Sequence, residues 1–271
     1  MLIITADDLG LSHQVNRAII RAFERGFCSH CSIMVNMPGF EEACDLVRMH
    51  GLTDRVGLHL VLTEGTPVTE SLKKCRRFCD RDGQFWLSRK QHVIRLSRSE
   101  REALEQELEA QIAKCRKHGI VMSHLDSHSH VHEEWAILPL VVRAAHQAGI
   151  PRLRLCRTFG GGTSSFKWLY RQVVNLRVRA AGLAATDHFG SPDDYCQFCQ
   201  RYGVSRGMDT PWEVMVHPVF DPQEQLFDGW LRRPLENVMK TLGQCRPPTS
   251  RPTTNRQTVE SVSGGQDFGR M

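Results

Sequence analysis

Five residues able to bind a proton or a metal recur on alternate positions in one short stretch. In SHLDSHSHVH, residues 123–132, they are His124, Asp126, His128, His130 and His132. On an extended backbone, side chains at i, i+2 and i+4 share a face, so the spacing predicts that all five converge. The apolar Ile120-Val121-Met122 before them reads as the buried part of a short strand, and a helix-like segment follows. A solvated His-rich tract would bind metal only nonspecifically; the apolar lead-in places this one inside a fold.

Asp7 and Asp8 add two carboxylates where an apolar N-terminal strand ends. Paired acids there often only cap a helix. Beside a histidine cluster they can divide the work, one coordinating a cation while the other stays free as a general base. His59, inside VGLHLVL, and His217, closing WEVMVH, would each be ordinary core histidines if alone, and Glu64 an ordinary turn residue. Each nevertheless lies at or near the end of a strand pattern. One aspartate with two histidines suits a divalent cation that keeps positions open for water and substrate. Such a cation lowers the pKa of water to about 7 and polarises a carbonyl. With a free carboxylate as base and a histidine as acid, the chemistry favoured is hydrolysis of an amide or ester.

The elements that must position these groups alternate between strand and helix about six times. Strands are expected at residues 2–6, 32–36, 56–62, 120–125, 153–156 and 212–217. Helices are expected after Ser12, around Ala43 to Val47, from Ser99 with a Ser99/Glu102 capping box, over 135–148 and 170–181, near 195–202 and after Pro234. The excursion 68–97 is long enough to be a lid or binding loop. The alternation predicts an α/β fold with a mostly parallel sheet. Polar residues at the carboxyl ends of four strands favour a barrel over an open sheet.

Composition narrows the class. The 271 residues are 41% hydrophobic with a net charge of +5. That length is compatible with one large domain or two small ones, and the apolar content is enough for a sizeable core; one barrel domain over residues 1–243 is expected. No basic stripe with interleaved aromatics points to nucleic acid. No apolar run reaches the roughly 18 residues of a membrane span, and Met1 leads straight into a strand without a signal-peptide pattern, so a cytoplasmic location is expected. Cys28/Cys31 and Cys196/Cys199 are C-x-x-C pairs, but they are too far apart for a zinc ribbon; free, buried thiols are expected instead. Residues 244–271 carry several prolines, serines and threonines and few apolar groups, which predicts a disordered polar tail.

Four blocks resemble the YdjC-like carbohydrate deacetylase family, in that family's order. They are TADDLG at 5–10, GLHLVLTEG at 57–65, HLDSHSHVH at 124–132 and EVMVHP at 213–218, and the similarity runs from residue 2 to about 240. The resemblance implies an irregular TIM-like (β/α) barrel. It implies removal of acetyl from an N-acetylated sugar or oligosaccharide by metal-bound water, with magnesium as the metal and zinc as the alternative. Carried over by position, Asp8, His59 and His128 would hold the metal, Asp7 would be the base, and His217 the acid or oxyanion partner. The parts of Asp7 and Asp8 are interchangeable at this level. His130, His132 and Arg154 would orient ligands or substrate, and Asp126 would fix a histidine tautomer. A homodimer would fit the family. Its members also continue into a closing strand where this chain has its polar tail, so the barrel is expected to lack that strand and expose an edge. Two other readings stay open: another metal hydrolase such as a phosphoesterase, and a truncated, catalytically silent protein that binds a sugar or a partner. Glycoside cleavage usually needs a facing carboxylate pair without a metal.

Overall fold

The computed structural model describes residues 1–87, 91–160 and 164–245. Six parallel strands form one sheet: β1 (Leu2–Leu9), β2 (His30–Ile33), β3 (Val56–Leu60), β4 (Leu125–Ser127), β5 (His188–Gly190) and β6 (Trp212–Val216), in the order β4-β3-β2-β1-β6-β5. The connecting helices are α1 (His13–Glu24), α2 (Phe40–Met49), the short α3 (Glu70–Lys73), α4 (Arg98–Lys117), α5 (Leu138–Gln147), α6 (Ser165–Ala180), α7 (Pro192–Tyr202) and α8 (Val204–Asp209). After β6 an antiparallel ribbon of β7 (Pro218–Phe220), β8 (Leu226–Asp228) and β9 (Arg233–Pro234) precedes α9 (Leu235–Gln244). This ribbon was not legible in the sequence, because its strands are two or three residues long and carry no alternation.

The sheet curls into an incomplete barrel of the expected TIM-like kind. Its strands are buried on both faces, as parallel strands under helices usually are. Ile4 and Ala6, Leu58 and Leu60, and Val214 and Val216 join the hydrophobic core. The alternate residues Thr5, Asp7, His59, Asp126 and Glu213 are buried polar groups. The gap in the wall falls between β4 and β5 rather than at the end of the chain. Residues 151–158, expected as a strand at 153–156, form no full ladder but span that gap. Leu125 N donates to Arg152 O and Arg154 N to Leu125 O on one side, while Leu153 N donates to Ala184 O and Thr158 N to Phe189 O on the other. Both edge strands thereby bond to this segment at isolated points, and the barrel wall stays incomplete there.

Several boundaries differ from expectation for local reasons. The capping box of α4 is Ser97 with Glu100 rather than Ser99 with Glu102: the Ser97 hydroxyl accepts from Glu100 N, and the Glu100 carboxylate accepts from Ser97 N. The second strand begins two residues earlier, at His30, and the third ends at Leu60. Cys31 lies in β2 and Cys196 and Cys199 on α7; all ten cysteines are free thiols, and none of the converging ligand groups among the described residues contains a cysteine. No helix among the described residues is long and apolar enough to cross a membrane. The tail expected from residue 244 lies, from residue 246 onward, outside the described residues.

Candidate active site

The site begins with a defect in β1. Pairing with β2 runs Thr5 to His30 and Ala6 to Cys31, then shifts so that Leu9 faces Ile33. One extra residue is thus inserted, as in a β-bulge. Asp8 takes a left-handed conformation with φ 73°, which an aspartate tolerates better than most residues. In a regular strand Asp7 and Asp8 would face opposite sides. The bulge brings both carboxylates to the same cavity. Asn16 on α1 secures the turn beyond it: its Oδ1 accepts from Gly10 N at 2.7 Å and its Nδ2 donates to Gly39 O at 2.8 Å. Ser12 starts α1 by accepting from Val15 N, a cap worth about 1 kcal/mol.

Register places the next pair. His59 on β3 lies beside Asp126 on β4, so their side chains share a face of the sheet. His59 Nδ1 is 2.7 Å from Asp126 Oδ1 and 3.0 Å from Ser32 Oγ, which turns Nε2 toward Asp8 Oδ1 at 3.2 Å. His128 follows β4 immediately. Its Nδ1 is 3.0 Å from the same Asp8 oxygen, and its Nε2 is 3.1 Å from Glu64 Oε2. One ligand atom each from Asp8, His59 and His128 lies within 4.8 Å of the others. Burial opposes the charge on Asp8, but hydrogen bonds from His128 and His59 hold its carboxyl well below the usual range. Burial likewise opposes a proton on His59, yet the Asp126 carboxylate outweighs it and lifts the imidazole to about 10.

Beneath this triad Arg154, fully buried, anchors three acids. Its Nη1 and Nη2 each reach an Asp7 oxygen at 2.8 Å, Nη2 lies 2.6 Å from Asp126 Oδ2, and Nε donates to Glu213 Oε1 at 2.9 Å. Phe189 lies under the guanidinium, 4.8 Å from its carbon to the ring centre. Burial works against ionisation of Asp7, but the bidentate Arg154 pair more than offsets this and holds its carboxyl far below the ordinary value. His217, just after β6, approaches Asp7 Oδ2 at 3.9 Å. The buried Asp228 fixes that corner by accepting from His217 N, Trp230 N and Leu231 N.

Asp7, Asp8, His59, His128 and His217 therefore line one cavity of about 350 Å³, and the five residues singled out in the sequence meet. The alternating cluster only partly does. His128 and His130 line the cavity, Asp126 lies behind His59, and His124 packs deeper in the barrel against Gly57, where an added Cβ would come within 2.4 Å of its ring. Burial drives the His124 pKa down to about 3. Beyond His128 the strand does not continue. Ser129 and His130 have φ of 55° and 58°, starting a 3₁₀ turn to Glu133, so His132 folds back onto Ser127 Oγ and His130 packs on Phe189. Equal spacing fails there because the backbone is no longer extended. Arg154, expected to orient ligands or substrate, does not line the cavity but holds Asp7 and Asp126, the latter bonded to His59.

Glu213 and Asp228 were missed. Glu213 had a usable signal, since a charge inside the apolar WEVMV needs a buried counter-charge; Asp228 had none, because the ribbon that places it could not be foreseen.

A carbohydrate deacetylase of Halalkalibacterium halodurans (strain ATCC BAA-125 / DSM 18197 / FERM 7344 / JCM 9153 / C-125) is 30% identical over 219 residues, covering 81% of this chain and 85% of that protein. A chitooligosaccharide deacetylase of Serratia marcescens is 38% identical over 161 residues, 58% of this chain; the matched part spans 60% of that relative's length. In fold, the chain is similar to the crystal structure of an Enterococcus faecalis V583 protein provisionally named for cellobiose-phosphate cleavage. The TM-score is 0.65 at 23% identity, covering 90% of this chain and 94% of the other. Residues 1–257 match the family described as YdjC-like protein, and the chain belongs to that family.

Proposed function

We propose that this chain hydrolyses the acetamide of N-acetylated sugars or oligosaccharides, using a divalent cation held by Asp8, His59 and His128. The observation that carries the reading is the convergence of those three side chains on one point, in a cavity that Asp7 and His217 also line. The donor set fits a cation: Asp8 Oδ1 is the common neighbour of two imidazole nitrogens, each turned by a carboxylate on its far side, Asp126 for His59 and Glu64 for His128. Carboxylate–histidine–metal chains of this kind orient ligands. Two imidazoles with one carboxylate rank Zn²⁺ or a first-row transition ion above Mg²⁺.

When bound, the cation supplies Lewis acidity, stabilising charge that develops on the acetamide oxygen and easing deprotonation of water. The protein's own groups do the rest. Asp7 accepts a proton from the attacking water. Arg154 fixes both of its oxygens and keeps it ionised at neutral pH, which gives orientation at the cost of basicity. His217, facing the same cavity, gives a proton to the departing sugar nitrogen, so acetate and amine leave with the protons balanced. Arg154 and Glu213 lie behind the site and position its groups without touching substrate.

The test is acetate release from a panel of acetamido sugars, with phosphate esters alongside, before and after chelation and with added cations. The reading predicts chelator-sensitive acetate release that falls at least 100-fold in Asp8→Ala and His59→Ala. Unchanged acetate release in both variants, or turnover of phosphate esters alone, contradicts it.

A further inference from the structure

The site cavity does not end at the catalytic groups. Ser129, His130, Glu133 and Arg171 line it and also line a second cavity of about 330 Å³. Each volume alone is within the roughly 300–1,000 Å³ of small-molecule sites, and the two cavities adjoin across the residues they share. The sill between them is the left-handed pair Ser129 and His130. Two consecutive non-glycine residues in that conformation are strained, and strain of this kind gathers where a ligand is clamped.

The second cavity differs from the first in its chemistry. Trp135 and Tyr170 line it with Phe166, which is 81% exposed, and Ile94, which is 64% exposed. Large apolar groups left in water around a concavity point to a ligand that covers them. Tyr170 Oη donates to Glu133 O at 2.8 Å, and Arg177 stacks on Trp135 at 4.2 Å from the ring centre. The 92–94 segment is bound to the opposite wall, with Val93 N donating to a Glu134 oxygen at 2.7 Å and Ala136 N to Val93 O at 3.0 Å. The long excursion expected as a binding loop thus supplies one wall of this cleft.

We infer that the cleft formed by Trp135, Phe166, Tyr170 and Ile94 is a sugar subsite that holds the ring adjoining the deacetylated one, making these residues determinants of chain length. A sugar offers apolar C–H faces bounded by hydroxyls. Aromatic faces with polar groups at the rim, here His92, Glu134 and Lys167, match that pattern. This rests on the deacetylase reading above and extends it from the reacting acetamide to the neighbouring residue of the chain.

The experiment compares N-acetylglucosamine with its β-1,4-linked disaccharide. The wild-type protein is expected to favour the disaccharide in kcat/KM by about tenfold or more. Phe166→Ala and Trp135→Ala are expected to lower that preference about fivefold to tenfold through KM, leaving the monosaccharide rate unchanged. Phe166 is so exposed that its removal does not threaten the fold. Equal kcat/KM for the two sugars in the wild type, or equal loss on both in the variants, overturns the subsite. If the wild type releases acetate from neither sugar, the deacetylase reading fails by itself, and saturation-transfer NMR with the same disaccharide then tests the cleft. A signal lost in Phe166→Ala supports the subsite, and one that is absent from the wild type or retained in the variant overturns it.

Discussion

Replacing Arg154 by methionine tests how the interior of this barrel is held together. The guanidinium is fully buried and pairs with Asp7, Asp126 and Glu213 at 2.6–2.9 Å. Its removal leaves three buried carboxylates without their cation, whereas methionine fills much of the volume. Breaking one buried pair costs about 3–5 kcal/mol, and the three acids share one partner, so the same range serves for the cluster. At roughly 2–4 °C per kcal/mol for a chain of this size, Tm should fall by about 10 °C. The loss should also depend on pH. In the wild type Asp7 has a depressed pKa, so its contribution is present above the unfolded value and is lost as pH falls through the folded one. Without Arg154, burial remains and raises the Asp7 pKa above the ordinary value. The folded variant then takes up a proton between pH 7 and 5 before the unfolded chain does, and gains stability relative to wild type over that window. Chemical denaturation at pH 7, 6 and 5 should show the gap narrowing. Arg154→Lys, which keeps the charge but loses the bidentate grip, should fall between the two. A gap below about 1 kcal/mol, or one constant across that window, would refute the claim that Arg154 neutralises these acids.

Other predictions follow from the same contacts. Asp126→Asn weakens the hold on both His59 Nδ1 and Arg154 and should lower cation affinity about 10- to 100-fold along with the melting temperature, which thermal melts with and without cation would separate. His59 carries a proton up to about 10 in the metal-free protein, so cation binding must displace it; affinity should rise between pH 6 and 8, with about one proton released per ion in calorimetry across buffers of different ionisation enthalpy. Asp8→Asn should keep the bulge, because asparagine accepts a left-handed backbone, yet lose the cation; an Asp8→Val variant should lose stability as well, and equal melting of the two would count against strain at that position.

The distribution of what could be read in advance has a physical logic. Strand and helix alternation is a matter of periodicity, so the parallel barrel was legible, as was the gathering of Asp7, Asp8, His59, His128 and His217 at one end. What sequence patterning could not supply were departures from regular geometry. The bulge at Asp8 depends on pairing with β2, and the left-handed turn at Ser129 and His130 takes His132 off the face that uniform extension would give it. Arg154 read as a ligand-orienting residue because its partners lie 28 to 147 residues away, and no local pattern discloses a salt bridge across a barrel. The ribbon β7–β8–β9 and its Asp228 escaped because very short strands are specified by turns and tertiary contacts rather than alternation.

The most direct measurement of the central claim is a calorimetric titration of the metal-free protein with Zn²⁺, Mn²⁺ and Mg²⁺ in turn. The account predicts one ion per chain, bound more tightly as Zn²⁺ than as Mg²⁺, with affinity lost in Asp8→Asn, His59→Ala and His128→Ala alike. Binding that survives all three substitutions would place the cation elsewhere and contradict it.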